Sequence, residues 1–165
     1  MTISLTGFMG CGKSSTGREL AGRLGARLAD LDAEIAARSG RTIPELFRDG
    51  EAAFRAVELE TLRAVLREAE TSGGLTVLAL GGGALTLPEA RAEIFGRTEC
   101  VYLRTRLETI RQRLGAADDS RPLFRDAETL FARRGPVYAQ APFIVDTDEK
   151  TPAETAGEII SLLGL

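Results

Sequence analysis

The segment Gly7–Ser14 constrains this chain more than any other part of its sequence. Its letters, GFMGCGKS, follow the pattern G-x-x-x-x-G-K-[ST]. Ile3–Thr6 before it has the short apolar pattern of a strand, and about Lys13–Leu24 after it has the pattern of an amphipathic helix. A strand, a glycine-rich turn and a helix in this order let backbone N–H groups converge on phosphate oxygens. The segment therefore predicts a phosphate-binding loop.

Two compositional facts sharpen this prediction. Of the 21 basic residues, Lys occurs only at positions 13 and 150, so a Lys inside the loop stands out. Lys13 is expected to reach the β- and γ-phosphates of a nucleotide, and the Ser14 hydroxyl can bind Mg²⁺. The chain has no Asn, which rules out the Asn-Lys-x-Asp pattern of guanine-specific proteins and favours ATP. The predicted ATP-binding residues of the loop are Gly10, Cys11, Gly12, Lys13, Ser14 and Ser15.

Composition excludes several other classes of function. A chain of 165 residues with 44% apolar and 27% charged residues predicts one globular domain, 1–165. A net charge of −3 argues against nucleic acid as the main partner. The chain has no His, and two Cys residues cannot form a four-ligand zinc site. Since no apolar stretch is long enough to span a membrane and the N-terminus does not resemble a signal peptide, we expect a cytoplasmic protein without membrane partners.

Short apolar segments alternate with amphipathic ones along the whole chain, which predicts an α/β fold with a parallel sheet. The expected strands are Ile3–Thr6, Arg27–Leu31, Leu75–Leu80, Val101–Leu103 and Phe143–Val145. The expected helices, besides the one after the loop, are Glu45–Phe47, Glu51–Glu70, Pro88–Phe95, Leu107–Leu114, Ala127–Ala139 and Pro152–Leu163. Ligands of such folds bind at the carboxyl ends of the strands, so residues that directly follow strands are the first candidates for a site.

Two groups of residues follow strands in this way. Asp30-Leu31-Asp32 is expected to end the second strand, where alternation puts both carboxylates on one side, one facing a metal and the other an acceptor hydroxyl. A helix cap or a surface pair is the alternative. Gly81–Gly83 follows the third strand, and three consecutive glycines predict close approach of a ligand to backbone amides rather than a simple tight turn.

Three further residues suggest chemistry less strongly. Arg55 and Arg134 predict an acceptor that carries a negative charge. Cys11 lies in the phosphate loop, where it is either a reactive thiol or an inert small residue that fits the turn.

Taken together, these stretches resemble the shikimate kinase family over nearly the whole chain. The likeness rests on GFMGCGKS at 7–14, DLD at 30–32, GRTIPELF at 40–47, GEAAFRAVE at 50–58, GGG at 81–83, RPL at 121–123 and RGPVY at 134–138. The resemblance implies a three-layer P-loop kinase fold with a five-stranded parallel sheet of order 2-3-1-4-5 and helices on both faces. It further implies a substrate-binding helical segment at about 32–62 and a mobile lid at about 114–126.

The resemblance also implies roles for residues on the acceptor side. The reaction would transfer the γ-phosphoryl group of ATP to the 3-hydroxyl of shikimate, in the biosynthesis of aromatic amino acids, with Asp32 as the base. Arg55 and Arg134 would hold the shikimate carboxylate, Glu58 would orient Arg55, and the amides of Gly81, Gly82 and Gly83 would contact the acceptor. Ile43, Phe47 and Phe54 would line its ring.

On the nucleotide side, the resemblance implies that Asp30 reaches Mg²⁺ through water. Arg121 would reach the phosphates when the lid closes, and Arg113 would stack on the adenine. Residues 146–148 and Pro152 would form the loop beside the base. The implied catalytic set is Lys13, Asp32 and Arg121, in a protein that we expect to be a monomer.

Besides a family member that keeps the site but serves as a scaffold, two alternatives stay open at this point. One is a kinase for another small hydroxy acid such as gluconate, although the F-R-x-x-E stretch and the triple glycine argue against it. The other is a regulator that binds nucleotide without catalysis, although an intact set of Lys13, Asp32 and Arg121 argues against that.

Overall fold

The computed structural model describes residues 1–114 and 126–165, and these residues form five strands and eight α-helices. The strands are β1 (Thr2–Thr6), β2 (Arg27–Asp30), β3 (Thr76–Ala79), β4 (Glu99–Arg104) and β5 (Phe143–Asp146). The helices are α1 (Lys13–Leu24), α2 (Leu31–Ser39), α3 (Ile43–Phe47), α4 (Glu51–Ser72), α5 (Pro88–Arg97), α6 (Leu107–Leu114), α7 (Ala127–Tyr138) and α8 (Pro152–Leu163). None of these described helices is both long and apolar enough to cross a bilayer.

The sheet has the order β2-β3-β1-β4-β5, and every pair of neighbouring strands is parallel. The central strand β1 pairs on one side with β3, where Ile3 lies opposite Val77, and on the other with β4, where Leu5 lies opposite Val101. The predicted five-stranded parallel sheet of order 2-3-1-4-5 is therefore confirmed. Its carboxyl ends lie together at one edge, where β1 leads into the phosphate loop.

Helices cover both faces of the sheet, which explains why every residue of β1 and β3 is buried. One apolar cluster joins the sheet to α1 and α8 and includes Leu5, Leu20 and Ile159. The opposite cluster is larger and joins the sheet to α2, α4 and α5, with Ile35 and Leu62 in its interior. These two clusters hold the carboxyl edge of the sheet in a fixed place.

The long helix α4 connects this core to the carboxyl edge. Its apolar face buries Leu62, Val65 and Leu66 completely or nearly so, at the helical spacing that the sequence predicted. The same helix begins just after Gly50, and its first two turns carry Phe54 and Arg55. Packing of the middle of the helix therefore positions the polar residues of its N-terminal end.

One prediction about the second strand is wrong. Strand β2 ends at Asp30, and Leu31 and Asp32 already belong to helix α2. Asp30 is the N-cap of that helix, since its side chain accepts hydrogen bonds from the backbone N–H groups of Asp32 and Ala33. Alternation along a strand therefore does not apply to the Asp30–Asp32 pair, and the position of Asp32 comes from the first turn of a helix.

Candidate active site

The phosphate loop connects β1 to α1 through glycines with positive φ. Gly7 has φ of 144°, and a Cβ atom there would lie 2.8 Å from both the Cys11 sulfur and the Leu103 carbonyl oxygen. Gly12 precedes α1 with φ of 99°, so the turn enters the helix in a conformation that side chains disfavour. The first turn of α1 has no side-chain cap, which leaves its N–H groups directed at the space above the loop.

Lys13 lies across this loop. Its ammonium group donates hydrogen bonds of 2.9 Å to the carbonyl oxygens of both Gly7 and Phe8. The Cys11 sulfur lies 3.8 Å from the same ammonium group, and the Cys11 side chain is buried. The loop therefore holds one positive charge at its mouth, next to the N–H groups that the glycines expose.

The Asp30 carboxylate joins the loop to the end of β2. The Ser14 hydroxyl donates to Asp30 Oδ2 at 3.0 Å, while Asp30 Oδ1 caps α2. Both the cap interpretation and the ligand interpretation of Asp30 thus fit the geometry. A hydroxyl and a carboxylate oxygen side by side are the hard oxygen donors that Mg²⁺ prefers. No cluster of three or more His, Cys, Asp or Glu side chains occurs in residues 1–114 and 126–165.

Asp32 reaches the same space from the first turn of α2. Its Oδ1 atom lies 2.8 Å from the point where a Cβ atom on Gly81 would stand, so Asp32 packs directly against the triple glycine. Burial raises the pKa of Asp32, and the charge of Asp30 raises it further. The charges of Lys13 and Arg55 act in the opposite direction. A carboxylate in such a place is suited to accept a proton from a hydroxyl.

The triple glycine that follows β3 is surrounded by charged side chains on several sides. A Cβ atom on Gly83 would lie 2.1 Å from a terminal nitrogen of Arg55, and one on Gly82 would lie 3.5 Å from a terminal nitrogen of Arg134. Within the part of the chain that the structure describes, the N–H groups of Gly82 and Gly83 donate no backbone hydrogen bond. N–H groups that make no backbone hydrogen bond in the described part of the chain therefore lie here together with two guanidinium groups.

Arg55 is held in place by a buried carboxylate. Its guanidinium donates to Glu58 at 2.6 Å, and Glu58 is 1% exposed. Burial raises the pKa of Glu58, while the charge and the hydrogen bond of Arg55 lower it. Beside them the rings of Phe47 and Phe54 are stacked with centroids 4.1 Å apart. Phe47 is 42% exposed, and the Arg55 guanidinium lies 5.2 Å from the centroid of the Phe54 ring, so the two rings form an accessible wall beside Arg55.

Arg113 lies on the other side of the phosphate loop. Its guanidinium donates to the Cys11 carbonyl oxygen at 3.4 Å and also to the Thr147 carbonyl oxygen. A groove of about 370 Å³ opens there, on the side of the loop away from the triple glycine. Its lining includes Gly10, Gly12, Ser15, Arg113, Thr147 and Pro152.

The structure thus brings together most of the predicted site residues at the carboxyl edge of the sheet. Lys13, Ser14, Asp30 and Asp32 meet on one side of the triple glycine, and Arg55 and Arg134 flank it. Arg121 and nearly all of the expected lid lie outside the described residues.

Sequence reasoning assigned no role to Tyr138, whose hydroxyl donates to the carbonyl oxygen of Gly82. The available signal was its place four residues after Arg134, on the same face of a helix.

A phosphate loop at the centre of this sheet, with a carboxylate and two arginines beside it, defines the class of P-loop kinases that act on small molecules. The model of the family described as shikimate kinase matches residues 9–164 of this chain. On this match, the chain belongs to the shikimate kinase family.

Individual relatives agree with the family match. A shikimate kinase of Thermus thermophilus is 39% identical over an alignment covering 98% of this chain and 89% of the relative. One of Geobacter metallireducens is 40% identical, with 98% and 90% covered. The structure of a shikimate kinase from Acinetobacter baumannii in complex with shikimate superposes with a TM-score of 0.87 at 35% identity, covering 98% of this chain and 92% of that one.

Proposed function

We propose that this chain transfers the γ-phosphoryl group of ATP to the 3-hydroxyl of shikimate, giving shikimate 3-phosphate and ADP. The observation that carries the proposal is the meeting of three features around Gly81–Gly83: the phosphate loop, the Asp32 carboxylate, and the pair Arg55 and Arg134. A kinase for a polyhydroxy acid needs all three features. The loop binds the phosphates of ATP, the carboxylate faces the reacting hydroxyl, and the arginines bind the carboxylate of the acceptor.

The acceptor carboxylate is assigned to Arg55 and Arg134. A guanidinium has a planar fork of N–H groups that matches both oxygens of a carboxylate. Glu58 accepts from one terminal nitrogen of Arg55 at 2.6 Å, and the other terminal nitrogen lies 3.4 Å from the exposed Glu51, which a ligand carboxylate would replace. The N–H groups of Gly82 and Gly83 lie between the two arginines and can donate to acceptor oxygens. The Phe47 and Phe54 rings would then cover the apolar part of the acceptor ring.

Asp32 is assigned to the reacting hydroxyl. In the transfer, the acceptor 3-oxygen forms a bond to the γ-phosphorus while the bond from that phosphorus to the β–γ bridging oxygen breaks. The hydroxyl proton passes to an Asp32 oxygen, and the electrons of the broken bond remain on ADP. The raised pKa of Asp32 suits this role, because a carboxylate with a higher pKa is a stronger base toward the acceptor hydroxyl, which is a weak acid.

Positive charges around the loop would stabilise the transferring group. Lys13 would exchange its bonds with the Gly7 and Phe8 carbonyl oxygens for bonds to phosphate oxygens. Ser14 would bind Mg²⁺ directly and Asp30 would do so through water, and the ion would neutralise charge on the β- and γ-phosphates. Arg121 would add a further charge, and the groove beside Arg113 would take the adenine.

The test measures ADP release from MgATP by the purified protein, with and without shikimate, and with gluconate or quinate in its place. We expect release that depends on shikimate and a slow background without acceptor. Asp32→Asn should lower kcat by about 10² to 10⁴-fold. Asp49→Asn is the matched control, because it makes the same change at an exposed carboxylate that pairs with Arg41.

Equal turnover with gluconate would favour the rival hydroxy acid kinase. Nucleotide binding without turnover on any acceptor would favour the regulatory interpretation. We also propose that the protein is a monomer in the cytoplasm. Sedimentation of the purified chain tests the monomeric state.

A further inference from the structure

The three carbonyl oxygens of the triple glycine are held in two different ways. Gly81 accepts a hydrogen bond of 3.1 Å from the N–H of Ala84, and Gly83 accepts one of 2.6 Å from the Thr86 hydroxyl. Both are local bonds within the turn that follows the glycines. Gly82 instead accepts from the hydroxyl of Tyr138, which is 56 positions away in the sequence.

This distant bond fixes more than one atom of the loop. A peptide unit is planar and trans, so the C=O of Gly82 and the N–H of Gly83 point in opposite directions and turn together. Gly82 packs against Arg134, and Gly83 packs against Arg55. The peptide unit that Tyr138 holds therefore lies between the two guanidinium groups that we assign to the acceptor.

Tyr138 is built to act as a donor in this position. Its side chain is 1% exposed and packs against Tyr102 with ring centroids 5.3 Å apart. Burial raises the pKa of its hydroxyl far above the usual range, although the charge of Arg134 opposes this, so the hydroxyl keeps its proton. Tyr138 and Arg134 are also one helical turn apart on α7, which ties the donor to one of the two arginines.

We infer that Tyr138 is a positioning residue for the acceptor: its hydroxyl sets the orientation of the Gly82–Gly83 peptide unit relative to Arg134. The inference rests on the proposed function, because it assigns an effect on the binding of shikimate. It predicts that loss of the hydroxyl weakens acceptor binding and leaves nucleotide binding unchanged.

The test compares Tyr138→Phe with Tyr102→Phe. Each change removes one phenol oxygen from the same pair of packed rings, but only the first removes the bond to Gly82. Steady-state kinetics give KM for shikimate and for ATP, calorimetry gives the dissociation constant for shikimate, and thermal unfolding checks the fold. For Tyr138→Phe we expect KM and Kd for shikimate to rise by on the order of five- to tenfold, with KM for ATP within about twofold of the parent. Tyr102→Phe should keep both KM values.

A double-mutant cycle with Arg134→Ala separates positioning from a general loss of stability. If Tyr138 acts on the peptide unit beside Arg134, Tyr138→Phe should change Kd for shikimate much less once Arg134 is absent. Unchanged shikimate binding in Tyr138→Phe, or equal losses for shikimate and ATP, would overturn the inference about Tyr138. The proposed function would still stand in that case, provided that the parent protein phosphorylates shikimate. A parent protein that neither binds nor phosphorylates shikimate would overturn the proposed function and this inference with it.

Discussion

The Arg55 guanidinium lies 2.6 Å from a Glu58 carboxylate that is almost completely buried, one helical turn further along α4. Its other terminal nitrogen lies 3.4 Å from Glu51, whose side chain is 70% exposed. One guanidinium is thus paired with two carboxylates, of which Glu58 is buried and Glu51 is exposed to solvent. The buried partner determines where Arg55 points, because an exposed partner contributes little to the energy of the pair.

Replacing Glu58 with Gln should therefore weaken the acceptor site. Gln keeps the size and an acceptor oxygen but removes the charge that orients Arg55, so KM for shikimate should rise on the order of tenfold. Glu51→Gln is the matched control, and we expect it to change this KM by less than about twofold. Steady-state kinetics on both variants decide the matter. Equal effects from the two changes would show that burial of Glu58 has no special role.

The same pair predicts a pH dependence. Burial raises the pKa of Glu58, although the charge of Arg55 lowers it in part. As the pH falls through this raised pKa, Glu58 takes up a proton and the ion pair is lost, so KM for shikimate should rise toward acid pH. This component should be absent from Glu58→Gln, which carries no titrating group there. If KM for shikimate depends on pH in the same way in the parent and in Glu58→Gln, Glu58 is not the group that causes the change.

A methyl group on Gly83 should displace Arg55 without unfolding the protein. The backbone at Gly83 has φ of −106°, which Ala adopts freely, but its Cβ would lie 2.1 Å from the end of the Arg55 side chain. A long flexible side chain moves away from such a contact, and the cation then leaves the acceptor site. We expect Gly83→Ala to raise KM for shikimate at least tenfold and to lower Tm, because displacing Arg55 leaves the buried Glu58 carboxylate without its ion-pair partner.

Gly74→Ala serves as its control, because a Cβ atom there meets nothing within 4 Å. If both variants keep the KM of the parent, Arg55 does not bind the acceptor from its present position.

Asp30 has two roles, as the N-cap of α2 and as part of the proposed Mg²⁺ site, and two substitutions distinguish between them. Asn is as good a helix cap as Asp, so Asp30→Asn should keep the stability of α2 while it weakens the Mg²⁺ site. We expect the Mg²⁺ concentration for half-maximal rate to rise several-fold in this variant. Asp30→Ala should add a loss of about 1 kcal/mol in the free energy of unfolding. Magnesium titrations and denaturant unfolding give the two quantities, and a normal Mg²⁺ requirement in both variants would remove Asp30 from the ion site.

The two cysteines should be unreactive in the folded protein. Cys11 and Cys100 are both buried, and burial raises the pKa of Cys100 to about 11. At pH 8 only about one Cys100 thiol in a thousand would then be ionised, and the thiolate is the reactive form.

Cys11→Ala and Cys100→Ala leave one thiol each for timed labelling with a disulfide reagent. We expect labelling to follow unfolding in both proteins. Fast labelling of Cys11 in the native state, with protection by ATP, would instead support the reactive-thiol hypothesis.

Local patterns predicted most of the fold. The helix Lys13–Leu24 and the parallel sheet followed from apolar periodicity and from the order of strand, loop and helix, and the structure confirms both. Apolar periodicity did not predict helix α2, because its pattern is short and buries only Leu31 and Ile35, although the resemblance implied a helical segment at about 32–62. Signals for it were present, since Asp30 is a favourable cap and Gly40 ends the helix in a left-handed conformation.

Long-range contacts could not be predicted in the same way. The chain places Tyr138 far from Gly82, and no local pattern says that a hydroxyl on α7 will reach a carbonyl after β3. The contact of Arg113 with the Thr147 carbonyl oxygen likewise depends on how α6 and the loop after β5 pack. Such contacts can be predicted only once the order of the strands in the sheet is known. The functional roles of the site residues stay predictions until the variants are measured.

The central place of β1 also determines when the phosphate loop can form during synthesis. Its two neighbours, β3 and β4, end at Ala79 and Arg104, so a growing chain must extend past Arg104 before β1 has both partners. Parallel pairings between such distant segments are slow to close. Until then β1 lacks at least one of its partners on a ribosome-bound chain, and ATP has no finished loop to bind and stabilise. In that interval bound nucleotide therefore cannot protect the chain from aggregation.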